Sequence, residues 1–243
     1  MKDQRIVVNP FRMISPKLDS EASKFEELHE IPVSESHAPE EGLLIMVSKL
    51  VEMSKILSKC IVSGDEEQMS RCERLAEEVH SQEAFVTSSL VAASSTIAST
   101  TLGQNLYKIV VRFPVRLERI GDMFQNILTC CRIKQRDGIP FSDKAYSELA
   151  QIFELVTDML VNTRDGLVLR NKALLHHILS QRQHLGELLH DARFGHWDRL
   201  ERGFCAPQAS SLYLDILDSI VAMNEYVGKM CDSLLSMREE ERA

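Results

Sequence analysis

Glycine and proline are scarce in this chain, at 10 and 7 of 243 residues, and aromatic side chains make up only 6%. That shortage disfavours sheet-rich folds, which need many tight turns. No apolar run reaches the roughly 18 residues of a membrane span. The N-terminal stretch MKDQRIVVNPFRMIS lacks the long apolar core of a signal peptide. Six cysteines (Cys60, Cys72, Cys130, Cys131, Cys205, Cys231) form no CxxC pair and no spaced metal framework, which reads as buried thiols in a reducing cytosol. Basic charge is short as well. The net charge of −8 leaves no basic face of the kind a general nucleic-acid binder needs. Nucleophile elbows, glycine-rich phosphate loops and metalloprotease signatures are missing, so nothing points to an enzyme. What these absences leave is a cytoplasmic, soluble, non-catalytic protein with an ordinary apolar content of 44%.

What is present is helical periodicity. Residues 1–40 are polar, with Pro10, Pro16, Pro32 and Pro39, and read as an N-terminal arm. Beyond them Met46, Leu50, Met53, Leu57 and Cys60 give the 3–4 spacing of a buried stripe, predicting a first helix over about 41–62. Ser63-Gly64 is a stop, and Asp65 caps a second helix running to about Ala93. A Ser/Thr-rich connection leads to a third over about 104–134, closed by Asp137-Gly138-Ile139-Pro140. Three more follow: about 142–169, about 171–202, and one ending near Glu240 after the break Gly203-Phe204-Cys205-Ala206-Pro207.

The two halves superimpose in sequence at an offset of roughly 103 residues. Met46, Leu50, Met53 and Leu57 fall on Leu149, Phe153, Val156 and Leu160. Ile109, Phe113, Leu117, Ile120, Phe124 and Ile127 fall on Leu212, Ile216, Ile220, Met223, Val227 and Met230. Two helix pairs sharing one register predict an all-α chain of two tandem three-helix bundles, residues 41–138 and 139–243.

The third helix carries RLERIGDMFQNI, residues 116–127. With its apolar stripe centred on Ile120, Glu118 and Asp122 lie roughly 140° or more away at about 100° per residue. Like charges at i,i+4 cost a few tenths of a kcal/mol, so a cation should compensate. Arg119 or Arg116 could be that cation, giving a self-neutralised face. The functional alternative is a surface metal site, with Asn126 one turn further along adding a third oxygen ligand. In the sixth helix the equivalent positions are Val221, Glu225 and Lys229, and Asp218 two turns earlier could substitute in part for the missing acid. Any second site should therefore be weaker or absent. Glu77-x-x-His80 and Glu187-x-x-His190 match the spacing of di-iron bundles, but those sites project inward. Here the second helix should pack through Cys72, Leu75, Ala76 and Val79, and the fifth through Leu175, Ile178, Leu185 and Leu189, turning both glutamates outward. His176, His177 and His184 read as solvated, and His196 beside Trp197 as packing.

Two three-helix bundles with L-E-R-I-G-D-x-x-x-N-I in the third helix resemble PhoU, the cytoplasmic regulator of bacterial phosphate uptake, over about residues 41–240. HWDRLERGFCAPQASSLYLDIL is similar to what precedes the last helix in the PhoU-like domain at the C-terminus of sodium-dependent phosphate cotransporters. With no membrane segment, this chain resembles a free-standing version of that domain. The resemblance implies regulation without catalysis: a protein acting with a phosphate transporter, a sensor histidine kinase, or both, and compatible with a homodimer. It also implies iron or zinc on the surface, held through E/D-x-x-x-D motifs, which Glu118 and Asp122 meet. The sixth helix departs from the pattern, with Val221 and Asn224 in the places of the glutamate and the glycine, and His80 stands where relatives often have an acid. Two other readings stay open. One is a metal-storage or redox bundle using iron or zinc, and the other is a structural adaptor for another transporter.

Overall fold

The computed structural model describes residues 39–97 and 110–240. Among the described residues six long helices follow one another: α1 (Pro39–Ser63), α2 (Glu66–Ile97), α3 (Phe113–Arg136), α4 (Asp143–Leu169), α5 (Lys172–Glu201) and α6 (Pro207–Glu240). Among the described residues there is no strand. Residues 1–38 of the N-terminal arm, the Ser/Thr-rich connection from residue 98 and Ile109 lie outside them, while Pro39 and Glu40, read as the end of the arm, open α1.

Local chemistry explains the ends. Asp65 Oδ1 accepts from Gln68 N at 3.1 Å, Ser142 Oγ from Ala145 N at 3.2 Å, and Asn171 Oδ1 from Ala173 N at 2.9 Å. Each satisfies an otherwise orphaned amide of a first turn. α3 opens at Phe113 after a turn at residues 111–112; the expected start near residue 104 lies outside the described residues. Pro114, which has no amide hydrogen to lose and a preset φ, marks its first turn. At the far end of α5, Gly203 takes φ +73°. The Gly203 amide then donates to Leu200 O at 3.1 Å and the Phe204 amide to Arg199 O at 2.8 Å, a Schellman turn.

The expected stripes are the core. Met46, Leu50, Met53 and Leu57 of α1 are 0% exposed, and Leu149, Phe153, Val156 and Leu160 of α4 are 1% exposed. Phe113 to Ile127 on α3 and Leu212 to Met230 on α6 bury the residues anticipated for them. In each half the three helices pack together, and the halves join through α1 against α4 and α3 against α6. One apolar cluster runs through both. At the junction Ser54 and Thr157 face each other, hydroxyl to hydroxyl at 2.7 Å. They are 103 residues apart, so the contact joins equivalent positions of the repeat.

Candidate functional site

Glu118 and Asp122 project from α3 into the groove between α3 and α2, not onto an open face. The Glu118 side chain is only 16% exposed and Asp122 34%. The wheel angle is right, but α2 occupies that side of α3, packing Val79 against the Gly121 backbone. From α2, His80 brings Nδ1 to 3.3 Å from Glu118 Oε1, and Glu77 lines the same groove. Glu77 and His80 are both exposed, as are Glu187 and His190 on α5. The inward-facing carboxylate–histidine arrangement of a di-iron bundle is therefore not built from these residues.

Of the two candidate countercharges, Arg119 is the one used. Its Nη1 donates to Asp122 Oδ2 at 2.9 Å and its Nε lies 3.7 Å from Glu118 Oε2. The hydrogen bond to Asp122, followed by the charge of Glu118, holds the guanidinium above its ordinary pKa. Arg116 instead crosses to α6, donating to Lys229 O at 2.6 Å and Ser233 Oγ at 2.9 Å. Asn126 is exposed and turns its amide toward Met123 Sδ at 3.9 Å. Among the described residues no three His, Cys, Asp or Glu side chains converge as a metal-holding group. Glu118 has His80 beside it, and Arg119 lies against both carboxylates.

The matching seam between α5 and α6 is built differently. Asp218 pairs with Arg193, and Glu225 lies 3.9 Å from Arg182 Nη2. Arg182 Nε donates to Asn224 O at 2.8 Å, while Asn224 Nδ2 donates back to Arg182 O at 3.0 Å. The guanidinium lies flat over Gly228, where an added Cβ would meet it at 2.1 Å. Each carboxylate here has its own arginine from α5, and the two do not meet.

A second constellation was not anticipated. At the end of the second half, Arg199 makes a bidentate pair with Glu148 (2.9 and 2.8 Å), tying α5 to α4. Tyr213 of α6 donates to Glu148 Oε2 at 2.6 Å. His196, 2% exposed, stacks on Tyr213 with centroids 4.9 Å apart and shares a 2.6 Å bond between Nε2 and Ser210 Oγ. Burial, then the hydrogen bond to Glu148, pushes the Tyr213 hydroxyl far above its usual range. Glu148 is 51 and 65 residues from its partners, so no spacing in the sequence signals the group. The one available hint was Tyr213, a polar-tipped residue next to the α6 stripe. The packing role expected for His196 is what the structure shows, although Trp197 beside it is 49% exposed.

Two solved structures share this architecture. The phosphate transport system regulatory protein PhoU from Streptococcus pneumoniae superimposes with a TM-score of 0.71 at 12% identity, covering 91% of this chain and 96% of its own. PhoU from Pseudomonas aeruginosa gives a TM-score of 0.72 at 15% identity, over 91% and 99% of the two chains. No protein-family model matches the chain, and no curated protein matches it by sequence. The fold is that of PhoU. No helix among the described residues is long and apolar enough to cross a membrane.

Proposed function

We propose, from the premise of the PhoU fold, that this chain is a cytoplasmic, non-catalytic regulator of phosphate transport or phosphate-starvation signalling. Its mode of action is protein–protein binding at a transporter or its sensor kinase. The observation that carries the reading is the superposition over nearly the full length of a solved phosphate transport regulatory protein. Within that reading, the α2–α3 groove is a surface metal site, with Glu118 and Asp122 as first ligands, His80 or Glu77 completing the set, and Arg119 displaced. Iron or zinc would there supply a fixed positive charge on an otherwise acidic surface. At the α5–α6 seam Asp218 and Glu225 are each held by an arginine, Arg193 and Arg182.

The test is capture of the tagged protein from solubilised membranes of its host, under phosphate-replete and phosphate-starved growth. Recovery of a phosphate transporter subunit or its sensor kinase, changing with phosphate, supports the proposal. Recovery of another transporter keeps the adaptor mechanism but removes phosphate from it, and no membrane partner in either condition overturns it. Metal analysis of the wild type beside Glu118→Ala/Asp122→Ala tests the groove separately, since metal retained in the variant would place the ion elsewhere.

A further inference from the structure

α1 and α4 lie side by side and run antiparallel, since Glu40 pairs with Arg170 at one level and Ser54 meets Thr157 at another. Lys55 and Asp158 each directly follow a residue of that second contact. At roughly 100° per residue, one further step along each of two antiparallel helices turns both side chains to the same side of the pair. Lys59 and Glu154, four residues from them, lie within about 40° of the same direction. All four are exposed, as are Ser48 of α1 and Gln151 of α4. The result is one open face with two stripes, basic along α1 and acidic along α4.

These charges have no partners within the fold. Lys49 and Glu52, also in the middle of α1, are taken up by Glu78 and Arg71 of α2. Lys55, Lys59, Glu154 and Asp158 make no hydrogen bond or ion pair with any described residue. Each stripe also sets like charges at i,i+4, an arrangement that stays unfavourable until an opposite charge comes between them.

We propose that this face pairs with the same face of a second copy, forming an isologous dimer. Turning one copy over about a line parallel to the two helices, and midway between them, lays α1 of each over α4 of the other. Lysines then meet acids at two equivalent contacts. Because Ser54 is level with Thr157, Lys55 comes level with residue 156, between Glu154 and Asp158 of the other copy. Lys59 comes level with residue 152, two residues or about 3 Å along the axis from Glu154, within reach of a lysine side chain. A twofold perpendicular to the helices would instead set lysine on lysine and acid on acid, so charge selects the first arrangement. The pairs are individually weak and open to solvent, which makes the dimer sensitive to salt. This face is separate from the α2–α3 groove, and the dimer does not rest on the phosphate reading.

Sedimentation velocity of the full chain over a concentration series tests it. Monomer and dimer should exchange with concentration at about 20 mM salt, and about 500 mM salt should weaken association on the order of tenfold. Lys55→Glu/Lys59→Glu makes both stripes acidic, and Glu154→Lys/Asp158→Lys makes both basic. Each should weaken self-association by more than about tenfold. All four positions are exposed, so circular dichroism should show wild-type helicity in both variants. Mixed in equal amounts, the two should recover a dimer of one copy each, because an acidic face then meets a basic one. Lys55→Glu mixed with Asp158→Lys serves in the same way should a double change lose helicity. A wild type that stays monomeric throughout the series at low salt overturns the proposal. So does a dimer that either charge reversal leaves intact, or two folded variants that fail to associate with each other.

Discussion

Ile120 and Asp122 are two residues apart on α3 and should respond to truncation in opposite ways. Ile120 is 0% exposed, so Ile120→Ala removes packed methylenes and should cost on the order of 2–5 kcal/mol. Asp122 has Arg119, a neighbour on the same helix, as its hydrogen-bonded partner, and losing so solvated a pair should cost less than about 1 kcal/mol. Urea denaturation of the two variants checks this, and the reverse order would mean the faces of α3 are inverted. His196 has a pH signature. Burial, then the charge of Arg199, holds its imidazole below the ordinary pKa, with Glu148 pulling weakly the other way. The unfolded chain therefore takes up this proton first as pH falls through about 6.5, so the native state loses stability below that value and keeps it above. Stability curves of wild type and His196→Gln, compared from about pH 8 down to about pH 5, should converge as pH drops. Curves that stay parallel would show that His196 is not buried as a neutral ring. Residues such as these were legible to different degrees. Ile120 follows from periodicity alone, whereas the surroundings of Glu118 depend on where α2 lies, which no wheel drawn on α3 can show.

Between helices, two glycines that look alike in sequence should behave differently. A Cβ on Gly42 of α1 would come within 2.3 Å of Val86 Cγ2, and Val86 is wholly buried in the α1–α2 contact. Gly42→Ala should therefore force the two helices apart and cost about 1–3 kcal/mol as overpacking. A Cβ on Gly121 would meet Val79 Cγ1 at 3.4 Å, close to ordinary contact. Relief of the helix-interior glycine penalty, roughly 1 kcal/mol, should then make Gly121→Ala neutral or stabilising. Thermal melts of the pair decide it, and a large loss at Gly121 would mean α2 and α3 sit closer than described. The glycine of the RLERIGD stretch is then a permissive feature of the groove and not a requirement of folding. Element boundaries were legible where caps are local: Asp65, Ser142 and Asn171 each bond an amide within three residues. The start expected near residue 104 lies outside the described residues; within them α3 opens at Phe113, with Pro114 in its first turn. The Glu148–Arg199–Tyr213 tie stayed hidden for the opposite reason, since its partners come from three helices and only tertiary packing joins them.

For the whole molecule, the repeat was legible because both copies must present the same stripe to the same neighbours, and Ser54 meeting Thr157 shows why the register is shared. The sequence alone does not tell whether two bundles in tandem behave as two folding units. The packing answers that. α1 lies on α4 and α3 on α6, and a single apolar cluster crosses the junction, so neither half can open without exposing core residues of the other. The chain holds one tryptophan, Trp197, which belongs to the second half, while far-ultraviolet circular dichroism reports all six helices together. Unfolding should therefore be cooperative, with the fluorescence of Trp197 and the dichroism following one transition with a common midpoint. Ser54→Leu at the junction should shift both probes by the same amount, because it overpacks a contact the halves share. Two separated midpoints, or a shift confined to the dichroism, would show that the halves fold independently. In that case the junction would be an interface between two bodies and not one core.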